Sequence, residues 1–132
     1  MGNYDELTKY IKLLENDSFG ERRYEETHYD DGSTGKMYYI EYTPAVKNLL
    51  DDIYRFSNTQ YEVFIYKEVL KKASVKPGFF RRDEISRLDG DTVFAVLMFI
   101  ARSEHFGHGN FLSSLKRGEV QACLQRLAEL DD

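Results

Sequence analysis

Residues 92–105 read TVFAVLMFIARSEH, and Thr92 is the only polar side chain among the first ten. A helix that is apolar nearly all round has no face to offer to water, so this segment is expected at the centre of a helical bundle. Asp89 or Asp91 can cap its start. The uninterrupted apolar run, residues 93–101, is nine residues long, whereas a bilayer crossing needs about 20, so the pattern is that of a core helix and not of a membrane span.

Working toward the C-terminus, Gly107 and Gly109 suit a backbone reversal. Two amphipathic segments follow, 110–117 with Phe111, Leu112 and Leu115, and 119–130 with Val120, Cys123, Leu124 and Leu127; Gly118 separates them. Working toward the N-terminus, residues 83–88 suit a short helical turn. Residues 61–73 predict a helix through Val63, Phe64, Tyr66, Val69 and Leu70, ended by Lys76-Pro77-Gly78. Thr43-Pro44 opens a helix over 44–56 whose buried stripe is Val46, Leu49, Leu50, Ile53 and Phe56, with Lys47, Asp51, Asp52 and Arg55 outward. Leu7, Tyr10, Ile11 and Leu14 predict a first helix over 4–16, with Asn3 or Asp5 as its cap.

Between these helices two strand-like runs, 21–29 and 36–42, flank Asp30-Asp31-Gly32-Ser33-Thr34-Gly35, which is a hairpin signal. Alternation puts Tyr38, Ile40 and Tyr42 on one face, expected toward the helices, and Met37, Tyr39 and Glu41 on the other. The expectation is an α+β fold, a small antiparallel hairpin packed on a five- or six-helix bundle, with residues 1–132 as a single domain.

At 132 residues and 42% apolar content the chain can bury a core without disulfides or a structural metal. Cys123 has no partner for a bridge, and no basic-then-apolar leader opens the sequence, so a cytoplasmic location is expected. The net charge of −5 opposes non-specific attraction to nucleic acid or anionic lipid. It is unevenly spread. Residues 1–60 hold 12 acidic and 7 basic side chains, whereas residues 67–87 hold seven basic against three acidic.

Ile100-Ala101-Arg102-Ser103-Glu104-His105-Phe106, then Gly109, Gly118 and Leu124-Gln125-Arg126-Leu127, form a C-terminal signature, and Tyr38-Tyr39-Ile40-Glu41-Tyr42 leads into a capped helix. In these features the chain resembles a bacterial and phage family of small cytosolic proteins of unknown function. Gly107 and His108 stand where that family usually has cysteine and aspartate, so no cysteine chemistry carries over. The resemblance implies the fold and an interest in the 102–109 turn, and it implies no activity.

Several groups invite a chemical reading. Glu104-His105-x-x-His108 sets two imidazoles three positions apart, which could meet on a metal, with His28, Cys123 or Glu104 completing the set, or supply a general base. Arg102, Glu104, His105 and His108 are therefore the candidate catalytic residues, with His105 and His108 as candidate metal ligands. The structural alternatives are an Arg102–Glu104 ion pair and a His105 that caps helix carbonyls. Gly32-Ser33-Thr34-Gly35-Lys36 is too short for a phosphate loop and is followed by a strand, and no cofactor motif is present. Lys72, Lys76, Phe79, Phe80, Arg81 and Arg82 interleave cations with aromatics, a surface that can neutralise phosphates and stack bases, although no complete recognition module is present. Tyr24, Tyr29 and Tyr39 on the outer face of the hairpin would suit a protein partner. The function expected is thus a non-catalytic interaction module with a protein partner. A site on the 102–108 turn or nucleic-acid binding by the basic segment are the alternatives.

Overall fold

The computed structural model describes residues 3–15, 19–61, 65–76, 80–107 and 109–131. The first helical region is two pieces, α1 (Asp5–Thr8) and α2 (Tyr10–Glu15), parted at Lys9. Its cap is neither Asn3 nor Asp5. The Asp131 carboxylate reaches back across the fold and accepts the backbone N–H of Asn3 (2.8 Å) and Tyr4 (2.9 Å). An acidic group at a helix start satisfies free amides and suits the helix dipole, so the start of α1 is tied to Asp131 there.

Strands β1 (Gly20–His28) and β2 (Thr34–Tyr42) pair antiparallel in the register Gly20↔Tyr42 to His28↔Thr34. Thr43 then occupies the N-cap of α3 (Pro44–Gln60) with Pro44 in its first turn, as the sequence predicts, although the threonine side chain makes no capping bond. The helix runs four residues further than its apolar stripe, through Ser57-Asn58-Thr59. Consequently Tyr61, expected to start the next helix, is extended; it stacks on Phe94 (5.7 Å, 17°) and donates to Asp91 (2.8 Å). Helix α4 (Tyr66–Lys72) is correspondingly shorter than expected, and Val63 and Phe64 lie outside the described residues. The short α5 is Arg82–Ile85.

Helix α6 (Gly90–Ser103) is capped by Asp89, which accepts the Thr92 N–H at 2.8 Å. Every residue from Thr92 to Met98 is buried, together with Ile100 and Ala101, so this is the central helix. It stops at Ser103, two residues short of His105, and residues 104–106 are a turn. Helices α7 (Asn110–Arg117) and α8 (Glu119–Leu130) pack Phe111, Leu115, Val120, Cys123, Leu124 and Leu127 around it. Gly118 joins them at φ 79, a backbone conformation that glycine adopts without a Cβ clash.

One outward assignment is overturned. Asp52 is buried, where it accepts a hydrogen bond from the Tyr10 hydroxyl and pairs with Arg55 (3.0 Å) and Lys9 (3.4 Å). The α3 stripe otherwise lies as expected, with Val46, Leu49, Ile53 and Phe56 buried and Leu50 partly so. Among the described residues no helix is long and apolar enough to cross a membrane.

Candidate functional site

The turn after α6 is organised by Glu104. Its Oε1 accepts the backbone N–H of Gly109 (3.1 Å) and of Phe111 (3.0 Å), two of the free amides that open α7. Gly109, at φ 92, gives the chain the left-handed step that aims these amides back at the carboxylate. The Tyr42 hydroxyl accepts the Leu112 N–H (3.1 Å) and donates to Glu104. Burial, and then the bond to that carboxylate, push the Tyr42 phenol well above its usual range. Glu104 and Tyr42 are therefore a capping pair that joins the base of the hairpin to α7. The expected Arg102–Glu104 ion pair is not formed; the carboxylate turns toward the amides, while Arg102 is exposed and lines a groove with Tyr54.

His105 does not cap helix carbonyls with its ring. Its Nε2 lies 3.2 Å from the Tyr54 hydroxyl and the two rings meet edge to face at 6.3 Å. His108 lies outside the described residues, so the pairing of the two imidazoles is not described. Of the other suggested ligands, His28 is at the far end of β1 and Cys123 is fully buried in α8, where burial pushes its thiol far up. Among the described residues no three His, Cys, Asp or Glu side chains converge to hold a metal ion.

In the basic segment Lys72, Lys76, Arg81 and Arg82 are exposed. Arg81 pairs with Asp83 (3.1 Å), and the Arg82 guanidinium lies over Gly118. Phe80 is not a stacking surface: it is buried, meets Phe99 edge-on at 5.6 Å, and donates its N–H to the buried carboxylate of Glu119 (3.1 Å). Arg117 in turn pairs with that carboxylate at 3.0 Å. Phe79 lies outside the described residues.

The hairpin differs from expectation in its faces. Tyr24 stands directly across from Tyr38, so it shares the face of Tyr38, Ile40 and Tyr42 and is opposite to Tyr39. Only the proximal part of that face meets the helices, with Tyr42 buried and Ile40 partly so. Tyr38, expected to pack inward, is 58% exposed; it packs on Tyr24 (4.9 Å between rings) with the Arg22 guanidinium over it (5.3 Å). On the other face Arg23 bridges Glu41 (2.8 Å) and Glu21 (3.0 Å) beside the exposed Tyr39 and Met37. Tyr29 lies over Gly35 near the turn.

Sequence reasoning missed three features. Tyr42 acts through its hydroxyl, Phe106 is 81% exposed beside the cleft at the hairpin base, and Tyr54, Tyr61 and Tyr66 converge on one groove. The α3 periodicity carried a hint of the last, since Tyr54 flanks the buried stripe. The other two depend on contacts between distant segments.

No curated protein and no solved structure matches the chain. With a match over residues 2–132 that takes in the hairpin, the Glu104 turn and the central helix alike, the chain belongs to a family of unknown function, DUF6508.

Proposed function

We propose that the protein is a non-catalytic interaction module that engages a protein partner through its hairpin. The observation that carries this reading is the exposure of Tyr24, Tyr29, Met37, Tyr38 and Tyr39 on a two-stranded ribbon. Large apolar and amphipathic side chains grouped on one projecting element mark a contact surface, and tyrosine supplies contact area with little rotamer entropy to lose. Among the described residues the sheet has two strands, so both outer edges of the ribbon are open to pairing with another chain. Residues 20–42 carry six carboxylates and three cations, two of which, Arg22 and Arg23, are engaged on the ribbon itself. The partner surface that fits is accordingly basic, with room for aromatic rings. The engagement of Glu104 by backbone amides supports a non-catalytic role for the turn. A single-domain accessory or inhibitor protein of a bacterial cytoplasm or phage is the concrete version, supported by the resemblance of the signature residues.

Affinity capture from a bacterial lysate tests this with two baits, the native chain and a Tyr24→Ser/Tyr39→Ser variant. The expected result is a protein retained by the native chain and lost by a variant of unchanged melting temperature. Equal retention by both baits would sink the hairpin reading. Loss on nuclease treatment, or on Lys72→Glu/Lys76→Glu substitution instead, would move the contact to the basic segment.

A further inference from the structure

Where α3, the chain at Tyr61, α4 and α6 meet, a groove of about 500 Å³ is lined by Tyr54, Ser57, Asn58, Tyr61, Tyr66 and Arg102, with Ile65, Lys67 and Met98 completing its described wall. That volume is in the range of small-molecule sites. Each tyrosine wall is held from behind: Tyr54 by His105, Tyr61 by Phe94 and Asp91, and Tyr66 edge-on by Phe99 (6.3 Å). The rings are thus set in place before any ligand arrives, which lowers the ordering cost of binding.

The charge of the groove is the second observation. Among the described residues its lining contains two cations, Lys67 and Arg102, and no carboxylate, on a chain of net charge −5. Neither cation forms an ion pair among the described residues. The guanidinium fork and the ammonium suit one dianionic group, with Ser57 and Asn58 as neutral hydrogen-bonding groups. Tyrosine rings, Met98 and the exposed Ile65 suit a flat apolar body.

We propose that this groove binds a small aromatic phosphate monoester, its phosphate on Arg102 and Lys67 and its ring against Tyr54 and Tyr66. In this arrangement His105 is a positioning residue, because it acts through Tyr54.

The test is an NMR titration of the isotope-labelled full chain at constant ionic strength with four probes: adenosine 5′-monophosphate, phenyl phosphate, adenosine and inorganic phosphate. The expected result is saturable shifts of the Tyr54, Tyr66, Met98 and Arg102 resonances with at least one of the aromatic phosphates. Its Kd should be at least about tenfold lower than for adenosine or inorganic phosphate. Preference between the two aromatic phosphates tells a nucleotide source from an aryl phosphate source. Arg102→Gln should raise that Kd at least about tenfold with an unchanged melting temperature, and Lys76→Gln, outside the groove, should leave it unchanged. No saturable shift at about 10 mM, equal shifts with inorganic phosphate, or indifference to Arg102→Gln would each overturn the proposal.

Discussion

Ser74 is, among the described residues, the non-glycine residue with positive φ, at 59°. It occupies the position just past the C-cap of α4, where its N–H donates to Lys71 (3.1 Å) and the N–H of Val75 donates to Leu70 (2.9 Å). This is the pair of bonds that closes a helix with a left-handed residue, and glycine is the residue usually found there because a Cβ is strained in that region. Ser74→Gly should therefore raise stability by roughly 0.5–1 kcal/mol, read from the denaturant midpoint. Asp52 shows the reverse case, a polar group that the fold requires. Burial alone would raise its carboxyl, but the Tyr10 hydroxyl, Lys9 and Arg55 outweigh it and hold the group below its usual 3.8. A depressed folded value means that the stabilisation is fully present above the unfolded value and is lost as pH falls through the folded one. Asp52→Ala should lower stability by about 1–3 kcal/mol at pH 7, since it strands the buried Tyr10 hydroxyl. The gap between variant and native melting temperatures should narrow below about pH 4. A gap independent of pH would show that the ionised carboxylate contributes nothing.

Among the elements, α6 and α7 make opposite demands on their residues. Leu97 is fully buried at the middle of α6, so Leu97→Ala leaves a cavity and should cost about 2–5 kcal/mol. An unchanged denaturant midpoint would contradict the central position of this helix. Helix α7 is eight residues long and begins at a left-handed glycine, so it relies on groups outside itself for its first amides. Glu104→Ala should cost about 1–2 kcal/mol, with the loss of protection concentrated at the Gly109 and Phe111 amides in hydrogen exchange. Exchange at these two amides that matches the native chain would remove Glu104 from the capping role.

For the molecule as a whole, the buried body and the exposed ribbon should separate in experiment. Tyr24→Ser, Tyr38→Ser and Tyr39→Ser alter side chains that are 60%, 58% and 41% exposed, and each should change stability by no more than about 0.5 kcal/mol. The same substitutions should abolish partner capture. Thermal melts together with capture yields decide the point: a large fall in melting temperature would mean that these rings support the fold and are not a free surface.

The α+β architecture, the central helix and the last two helices were legible in the sequence because apolar periodicity reports burial directly. A helix such as 119–130 can bury its stripe against any apolar surface, and its bounds need no knowledge of the partner. Helix starts were legible where the signal lies at the start itself, as with the Asp89 cap and the Thr43-Pro44 pair, and illegible where the capping group lies elsewhere, as with Asp131 for α1 and Glu104 for α7. The faces of the hairpin failed for a related reason. Alternation places Tyr38 with Ile40 and Tyr42, but only the tertiary structure decides where the ribbon leaves the helices, and it does so between Ile40 and Tyr38. The candidate residues divide in the same way. Residue type and spacing singled out Arg102, Glu104 and His105. Their separation into a groove cation, a helix cap and a support for Tyr54 was decided by side chains far away in the sequence, 51 positions in the case of Tyr54 and His105, whose approach no local pattern encodes.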